Sequence, residues 1–228
     1  MQDNLNAAPL NPLPVIVWAL ALPIIAMEAV LSLGSAGLVG GPEAIGWRLA
    51  ALERFGFFPD LLRAMIETRQ YPADQLIRLV SYPFVHGNFT HALFVLVILL
   101  ALGKMVGEIF RWWAVLVVFF GAAIAGALVM TAIPPISTPL IGGYPPVYGL
   151  IGAFTFLLWV NLAAKGANQY RAFTMIGFLL GIQLLFGVLF GGGWDWVGDL
   201  AGFCTGFLLS FVVSPGGWTR VMLKLRNR

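Results

Sequence analysis

Two histidines, one tyrosine and one aspartate are the side chains of this sequence whose types and positions suggest chemistry. His86 and His91 are the only histidines of the chain, and Tyr144 and Asp199 each lie in an apolar stretch. A hydrolytic site needs a nucleophile within about 3 Å of a base, and histidine is the most frequent base. A dyad of Ser137 with His91, or a metal site at the histidines and Asp199, is conceivable. We favour neither, because nucleophile and base must meet at that distance and no third strong metal ligand has regular spacing.

The composition indicates a membrane protein. Of the 228 residues, 60% are apolar and 10% are charged, and the mean hydropathy is +0.89. A soluble domain carries about a quarter charged residues, so this chain has too little polar surface to face water on all sides. One cysteine, Cys204, excludes a disulfide framework, and we expect it to be a small packing residue. Membrane lipids are the expected surroundings, and no cofactor or nucleic-acid partner is predicted.

Six apolar stretches are long enough, or nearly so, for the roughly 20 residues that a membrane-spanning helix needs. They are Leu13–Leu33, His91–Phe110, Trp113–Ile133, Tyr144–Ala163, Ala172–Phe190 and Asp195–Val213. A polar segment, residues 40–88, separates the first two, and its apolar residues recur at helical spacing at Leu61, Leu62, Met65 and Ile66. We therefore predict an all-α polytopic membrane protein. Residues 13–215 form a six-helix domain whose long first loop contains short interfacial helices.

The basic residues of the short loops predict the orientation. Lys104 and Arg111 flank the second connection, Lys165 and Arg171 flank the fourth, and the third and fifth connections contain no Lys or Arg. The positive-inside rule then places both termini in the cytoplasm and the first loop in the periplasm of a bacterial-type inner membrane. Residues 1–12 are a predicted cytoplasmic tail without basic residues, so the first span is expected to be retained rather than cleaved. Residues 216–228 are a predicted basic cytoplasmic tail, which contains Arg220, Lys224, Arg226 and Arg228.

This topology brings three polar side chains to one depth of the membrane. The second, fourth and sixth helices run inward from the outer face, and their first turns hold His91, Tyr144 and Asp199. Acidic side chains within membrane helices usually mark a function or a pairing, and Glu28 is the other candidate besides Asp199. Glu28 has no evident partner in the sequence, and we expect it to face the bundle interior or to reach the interface by tilt.

Glycine pairs predict where helices approach closely. Three pairs have small-xxx-small spacing, namely Gly103 with Gly107, Gly177 with Gly181, and Gly202 with Gly206. We expect these pairs to pack within one bundle rather than to form a dimer interface.

Three segments match, in order along the chain, the motifs of one known family. Residues 76–91, LIRLVSYPFVHGNFTH, are similar to the end of the first loop in the rhomboid family of intramembrane serine proteases, with Arg78, His86 and His91 matching and Ile77 in place of the usual tryptophan. Residues 142–154, GGYPPVYGLIGAF, resemble the Gly-x-Ser-Gly box and keep Gly142. Residues 199–206, DLAGFCTG, resemble the His-x-Gly-Gly-x3-Gly segment and keep two of its three glycines, Gly202 and Gly206. The resemblance implies a rhomboid-like bundle over about residues 13–215.

The resemblance also implies where the catalytic residues fall, and each is replaced. The nucleophilic serine of the family falls on Tyr144, its general-base histidine on Asp199 and its oxyanion-binding asparagine on Val95, while Pro145 follows in place of a glycine. A phenol is a bulky, poor acyl acceptor, and an ionised aspartate is a weak base. Loss of one oxyanion donor alone typically costs about 100- to 1000-fold in rate. Proline also removes a backbone N–H.

Asp199 has two expected roles in place of catalysis. It caps the start of the sixth helix, or it accepts a hydrogen bond from the Tyr144 hydroxyl where the serine and histidine of the family meet; both can hold. We expect His86 and His91 to form hydrogen bonds within the loop rather than to titrate.

Together these residues predict a rhomboid-like pseudoprotease. Such a protein binds transmembrane segments and regulates, stabilises or delivers client membrane proteins. The alternative is an active rhomboid intramembrane serine endopeptidase with a non-standard site, which the fold alone would suggest. A small transporter or channel is a more distant alternative, since the sequence lacks a charged pathway and a clear repeat between its halves.

Overall fold

Helices make up the structure, a computed structural model that describes residues 12–217. In chain order they are α1 (Val15–Ser35), α2 (Trp47–Phe55), α3 (Pro59–Thr68), α4 (Ala73–Leu76), α5 (Arg78–Ser81), α6 (Phe89–Gly107), α7 (Trp112–Ala132), α8 (Tyr144–Ala164), α9 (Thr174–Phe190) and α10 (Asp195–Val213). Within residues 12–217, six helices are long and apolar enough to cross a membrane, namely α1 and α6 to α10. The predicted six-helix bundle is confirmed, and each predicted span begins and ends within three residues of its helix.

Local sequence explains where several of these helices begin and end. Asn88 precedes α6, and its Oδ1 accepts a hydrogen bond from the His91 backbone N–H at 2.8 Å, which caps the helix. Pro145 and Pro146 lie in the first turn of α8. Backbone N–H groups in the first turn of a helix have no hydrogen-bond partner within that helix, so proline removes no hydrogen bond there. Gly191 ends α9 with φ of 75°, a left-handed conformation that glycine adopts without strain.

Helix α8 is the centre of the bundle and packs against α6, α7 and α10. It meets α10 most closely at Gly202 and Gly206, where an added Cβ would overlap the carbonyl oxygens of Pro145 and Gly149 respectively. Small residues at such a crossing allow two backbones to approach within van der Waals contact, which drives helix association in lipid. This predicted pair therefore packs within the bundle.

The other two glycine pairs differ from each other. In α6, an added Cβ on Gly103 would contact Val17 of α1 at 3.0 Å, so this pair also packs within the bundle. In α9, Gly177 and Gly181 have no heavy atom within 4 Å of a built Cβ. The prediction of internal packing is wrong for this pair, because α9 lies at the edge of the bundle, where Ile176 is the one buried side chain among those that the structure describes.

The first loop, residues 36–88, contains the predicted short helices. Leu62 and Met65 of α3 are buried, whereas Ile66 is 52% exposed. The loop is joined to the third loop, residues 133–143, by an antiparallel bridge in which Phe57 and Leu140 exchange two backbone hydrogen bonds of 3.0 and 2.8 Å. These contacts fix the loop over one end of the bundle.

Arg63 of α3 holds the end of α7. Its guanidinium donates to the carbonyl oxygens of four residues, which are Met130, Thr131, Ile133 and Ile136. The last carbonyls of a helix have no helical partner and carry the negative end of its dipole, so a cation is favourable there. Arg63 therefore links the first loop to the membrane helices.

Two expectations concern residues elsewhere in the chain. Cys204 is exposed on α10 rather than buried, so its expected role as a packing residue is wrong. The predicted tails, 1–12 and 216–228, lie almost wholly outside the described residues, as do Arg220, Lys224, Arg226 and Arg228.

Candidate functional site

A cavity of ≈580 Å³ lies at the first-loop end of the bundle, the end that carries residues 36–88, 133–143 and 191–194. Parts of α2, the third loop, α9 and the N-terminal turns of α6, α8 and α10 line it. Its apolar lining residues are Leu49, Leu52, Phe58, Pro139, Leu140, Ile141 and Pro145. Its polar lining residues are Glu53, His91, Thr138, Tyr144, Gln183, Asp195 and Asp199. The predicted convergence of His91, Tyr144 and Asp199 is present here.

His91 is held between two other rings. It stacks on Tyr144 with centroids 4.9 Å apart and an interplanar angle of 16°, and it meets His86 edge-on at 5.0 Å. Its Nε2 is buried and has no hydrogen-bond partner among the described residues. Gly142 lies against it, since an added Cβ there would be 2.5 Å from His91 Nε2. With φ of +80°, Gly142 also has a backbone conformation that side chains disfavour.

His86 has the structural role expected from the sequence. It is 1% exposed, and its Nε2 accepts a hydrogen bond of 3.3 Å from the Gly143 backbone N–H. Burial, with smaller contributions from His91 and Arg48, lowers the pKa of His86 to about 3, and Glu28 partly opposes this shift. The ring is therefore neutral at pH 7, which its role as an acceptor requires.

Tyr144 does not make the hydrogen bond predicted from the sequence. Within residues 12–217 its hydroxyl has no hydrogen-bond partner, and its ring stacks on His91. The predicted pair of Tyr144 with Asp199 is therefore wrong. Stacking on His91 orients the phenol ring, and the carboxylate of Asp199 has another partner.

Asp199 is bound by a residue that the sequence reasoning missed. Its Oδ2 accepts a hydrogen bond of 2.8 Å from Gln183 Nε2, and Gln183 Oε1 accepts one of 3.3 Å from the Tyr148 hydroxyl. Asp199 is one turn into α10, which begins at Asp195, so the predicted helix cap is also wrong. A signal for Gln183 existed, because it is the one amide side chain in the apolar sequence of α9.

A comparison with known families decides the family. The model of the family described as "Rhomboid domain" matches residues 73–216 of this chain, which is more than half of it. The chain belongs to the rhomboid family. The match contains α6 to α10 and the part of the first loop that holds His86.

A similar curated relative is "RHOMBOID-like protein 4" of Arabidopsis thaliana. It is 28% identical to this chain over 144 residues, which cover 61% of the chain and 34% of the relative. The chain thus spans about a third of the length of this rhomboid relative.

The rhomboid resemblance assigns the oxyanion-binding asparagine to Val95, and the surroundings of Val95 are apolar. Val95 is fully buried, and its Cγ1 lies 2.7 Å from the position of a Cβ built on Gly143. Pro145, which follows Tyr144, has no backbone N–H to offer. Val95 does not line the cavity, and neither Val95 nor Pro145 supplies a hydrogen-bond donor to it.

Arg78, a position that matches the rhomboid pattern, organises the first loop. Its guanidinium donates to the carbonyl oxygens of Glu53 at 2.6 Å and Gly56 at 2.8 Å, and it lies over the ring of Phe58 at 5.6 Å. Glu53 and Phe58 line the cavity. Arg78 thus supports the cavity wall without lining it.

Glu28 has a partner that the sequence did not reveal. Arg48 of α2 donates to its two carboxylate oxygens at 2.9 and 2.7 Å, and Ser32 donates to Oε1 at 2.6 Å. The same guanidinium donates to the His86 carbonyl oxygen at 2.9 Å. Glu28 is 5% exposed, so its expected position in the bundle interior is confirmed, and Arg48 connects α1, α2 and the histidine segment.

Within residues 12–217, side chains are not arranged as the alternative dyad or the metal site considered from the sequence would require. Ser137 is exposed, and His91 Nε2 accepts from no hydroxyl there. Ser81 donates to the Phe55 carbonyl oxygen at 3.0 Å. No group of three or more His, Cys, Asp or Glu side chains in this range is arranged to hold a metal ion.

Proposed function

We propose that this rhomboid-family protein is a pseudoprotease that binds transmembrane segments of client membrane proteins without cutting them. Its clients would be stabilised, regulated or delivered to other proteins. We also propose that it lies in a bacterial-type inner membrane with both termini in the cytoplasm, on the basis of its basic short loops.

One observation carries the proposal. The two positions to which the resemblance assigns nucleophile and base carry a tyrosine stacked on a histidine and an aspartate bound by an amide. Covalent catalysis needs a nucleophile in hydrogen-bond reach of a base, and no such pair lines the cavity in the described structure. The cavity of ≈580 Å³ is open to a ligand, and its largely apolar wall suits a hydrophobic segment.

Proteolysis and active-site labelling test the loss of activity. The purified protein is reconstituted in liposomes with model transmembrane substrates and a fluorophosphonate probe, which reacts with activated serines. We expect neither cleavage nor labelling. An active rhomboid protease in parallel vesicles shows that substrate and probe are competent, and a Tyr144→Ser/Asp199→His variant tests whether the two replacements alone account for the inactivity.

Cleavage or specific labelling of the wild-type protein would overturn the proposal in favour of an active endopeptidase. Mass spectrometry of the labelled peptide would then identify the nucleophile.

Photocrosslinking tests client binding directly. A benzoylphenylalanine placed at Leu52, which lines the cavity, is expected to crosslink to membrane proteins through their transmembrane segments. The same probe at Leu38, which is 72% exposed and does not line the cavity, is the control for non-specific contact. Equal crosslinking patterns at the two positions would contradict binding in the cavity.

A further inference from the structure

The cavity wall has a strong charge imbalance. Three carboxylates line it, those of Glu53, Asp195 and Asp199, and no Lys or Arg is among the lining residues that the structure describes. Asp195 and Asp199 are four residues apart on α10, which places them on one face of the helix. Glu53 and Asp195 are exposed at the mouth, whereas Asp199 is buried deeper inside.

Of these three carboxylates, Asp199 is the buried one, so its charge depends most on a cation or on hydrogen bonds for stabilisation. It is 3% exposed, and its one hydrogen bond comes from the neutral amide of Gln183 to Oδ2. Its other oxygen, Oδ1, has no partner in the described structure, and neither of the two ion pairs found there involves Asp199. A buried carboxylate is stabilised chiefly by a cation and by hydrogen bonds to both oxygens.

The rest of the cavity suits a cation carried on an aliphatic stem. Apolar side chains from α2 and the third loop, among them Leu52 and Ile141, provide contact for methylene groups. Lysine and arginine side chains bury such stems along apolar surfaces while their charged groups seek polar partners. The unpartnered His91 Nε2 and the Tyr144 hydroxyl lie on the same wall.

We propose that the cavity selects client transmembrane segments that carry a lysine or arginine near the first-loop end of the membrane. The cationic group pairs with Asp199, and Asp195 and Glu53 favour its entry at the mouth. This inference rests on the proposed client-binding function and adds the chemistry by which clients are recognised.

The experiment measures binding of matched single-span peptides to the full-length protein in nanodiscs by fluorescence transfer. The peptides share a Leu/Ala sequence and differ at one residue near the end that faces the cavity, which is Lys, Arg, Gln or Glu. We expect the Lys and Arg peptides to bind about tenfold or more tightly than the Gln peptide, because a desolvated charge pair couples this strongly. The Glu peptide is expected to bind least.

Two variants assign the preference to the cavity. Asp199→Asn is expected to abolish the preference for Lys over Gln while binding of the Gln peptide persists. Asp195→Asn, at the exposed mouth, is expected to reduce the preference about two- to threefold, since the charge of an exposed group is screened. Glu43→Gln, an exposed residue outside the cavity, is the matched control and should leave the preference unchanged.

The outcomes separate this inference from the function on which it rests. Equal binding of Lys and Gln peptides by the wild type overturns the charge selection and leaves client binding intact. Binding of no peptide overturns both. Binding of a free alkylammonium, dodecylammonium, is measured in parallel. If it binds tightly while the Lys and Gln peptides bind with equal affinity, the cation bound in the cavity is a free amphiphile and not a client side chain, and the inference is overturned.

Discussion

Gly142 combines a left-handed backbone with a close approach to both histidines. At φ of +80°, a built Cβ would be 2.5 Å from His91 Nε2 and 3.0 Å from His86 Cδ2. We predict that Gly142→Ala lowers the free energy of unfolding by about 2–4 kcal/mol, the sum of a backbone penalty and an overpacking penalty. Thermal unfolding in detergent micelles measures this.

A matched control separates the two penalties. Gly41 has φ of +65° and no atom within 4 Å of a built Cβ, so Gly41→Ala carries the backbone penalty alone. It is expected to cost about 1 kcal/mol. Equal losses in the two variants would show that contact with the histidines contributes nothing.

The neutral state of His86 predicts a pH dependence of stability. Its pKa is lowered to about 3 in the folded state, below the value near 6.5 of an unfolded histidine. The unfolded state therefore binds more protons below pH 6.5, and the folded protein loses stability as pH falls, by about 2 kcal/mol at pH 5. His86→Gln keeps an acceptor for Gly143, and we expect its stability to fall less between pH 8 and 5. Parallel pH profiles for the two proteins would contradict this.

At the residue scale, the sequence predicted which side chains converge but not how they pair. Topology alone placed His91, Tyr144 and Asp199 at one depth, because the three helices that carry them run in the same direction and begin at the same side of the membrane. The partner of Asp199 could not be predicted in the same way. Apart from Gln183, the residues around the middle of α9 are apolar on every face, so no hydrophobic pattern fixes the direction in which Gln183 points. Arg48 and Glu28 belong to different helices 20 residues apart, which no local pattern connects.

The crossing of α8 and α10 is the closest contact between elements that the glycine pattern predicted. A Cβ on Gly206 would overlap the Gly149 carbonyl oxygen, which belongs to helix backbone and cannot rotate away. We predict that Gly206→Ala lowers the free energy of unfolding by at least about 2 kcal/mol. Unfolding in detergent micelles checks this value.

Gly181 of α9 provides the control for this prediction. It belongs to a pair of the same spacing but has open space around it. Gly181→Ala is expected to remain within about 1 kcal/mol of the wild type, since alanine is the better helix former. A loss as large as that of Gly206→Ala would show that α9 packs against another surface.

At the element scale, periodicity and hydropathy sufficed for the spanning helices because lipid requires about 20 apolar residues in each. The packing of the first loop was harder to predict from the sequence. Its helices are short, and they are held by guanidinium groups such as Arg63 that reach carbonyls of the third loop. Contacts between distant segments of this kind leave no periodic pattern in the sequence.

The orientation of the whole molecule is testable with single cysteines. In a Cys204→Ser background, Ser137→Cys places a thiol in the third loop at the first-loop end, and Ala167→Cys places one in the connection beside Lys165 and Arg171; both sites are exposed. The positive-inside rule predicts that an impermeant maleimide labels Ser137→Cys in intact spheroplasts, and Ala167→Cys only after permeabilisation. The reverse pattern would place both termini outside.

The ion pair of Glu28 and Arg48 also bears on how the protein is made. Helix α1 precedes α2 in the chain, so the Glu28 carboxylate leaves the ribosome before Arg48 does. A lone ionisable group in a membrane helix is unfavourable, so we expect α1 to be held less stably in the bilayer until α2 has packed against it and Arg48 has paired with Glu28. A chain that ends before residue 48 is therefore expected to retain α1 in the membrane less stably than the full chain does.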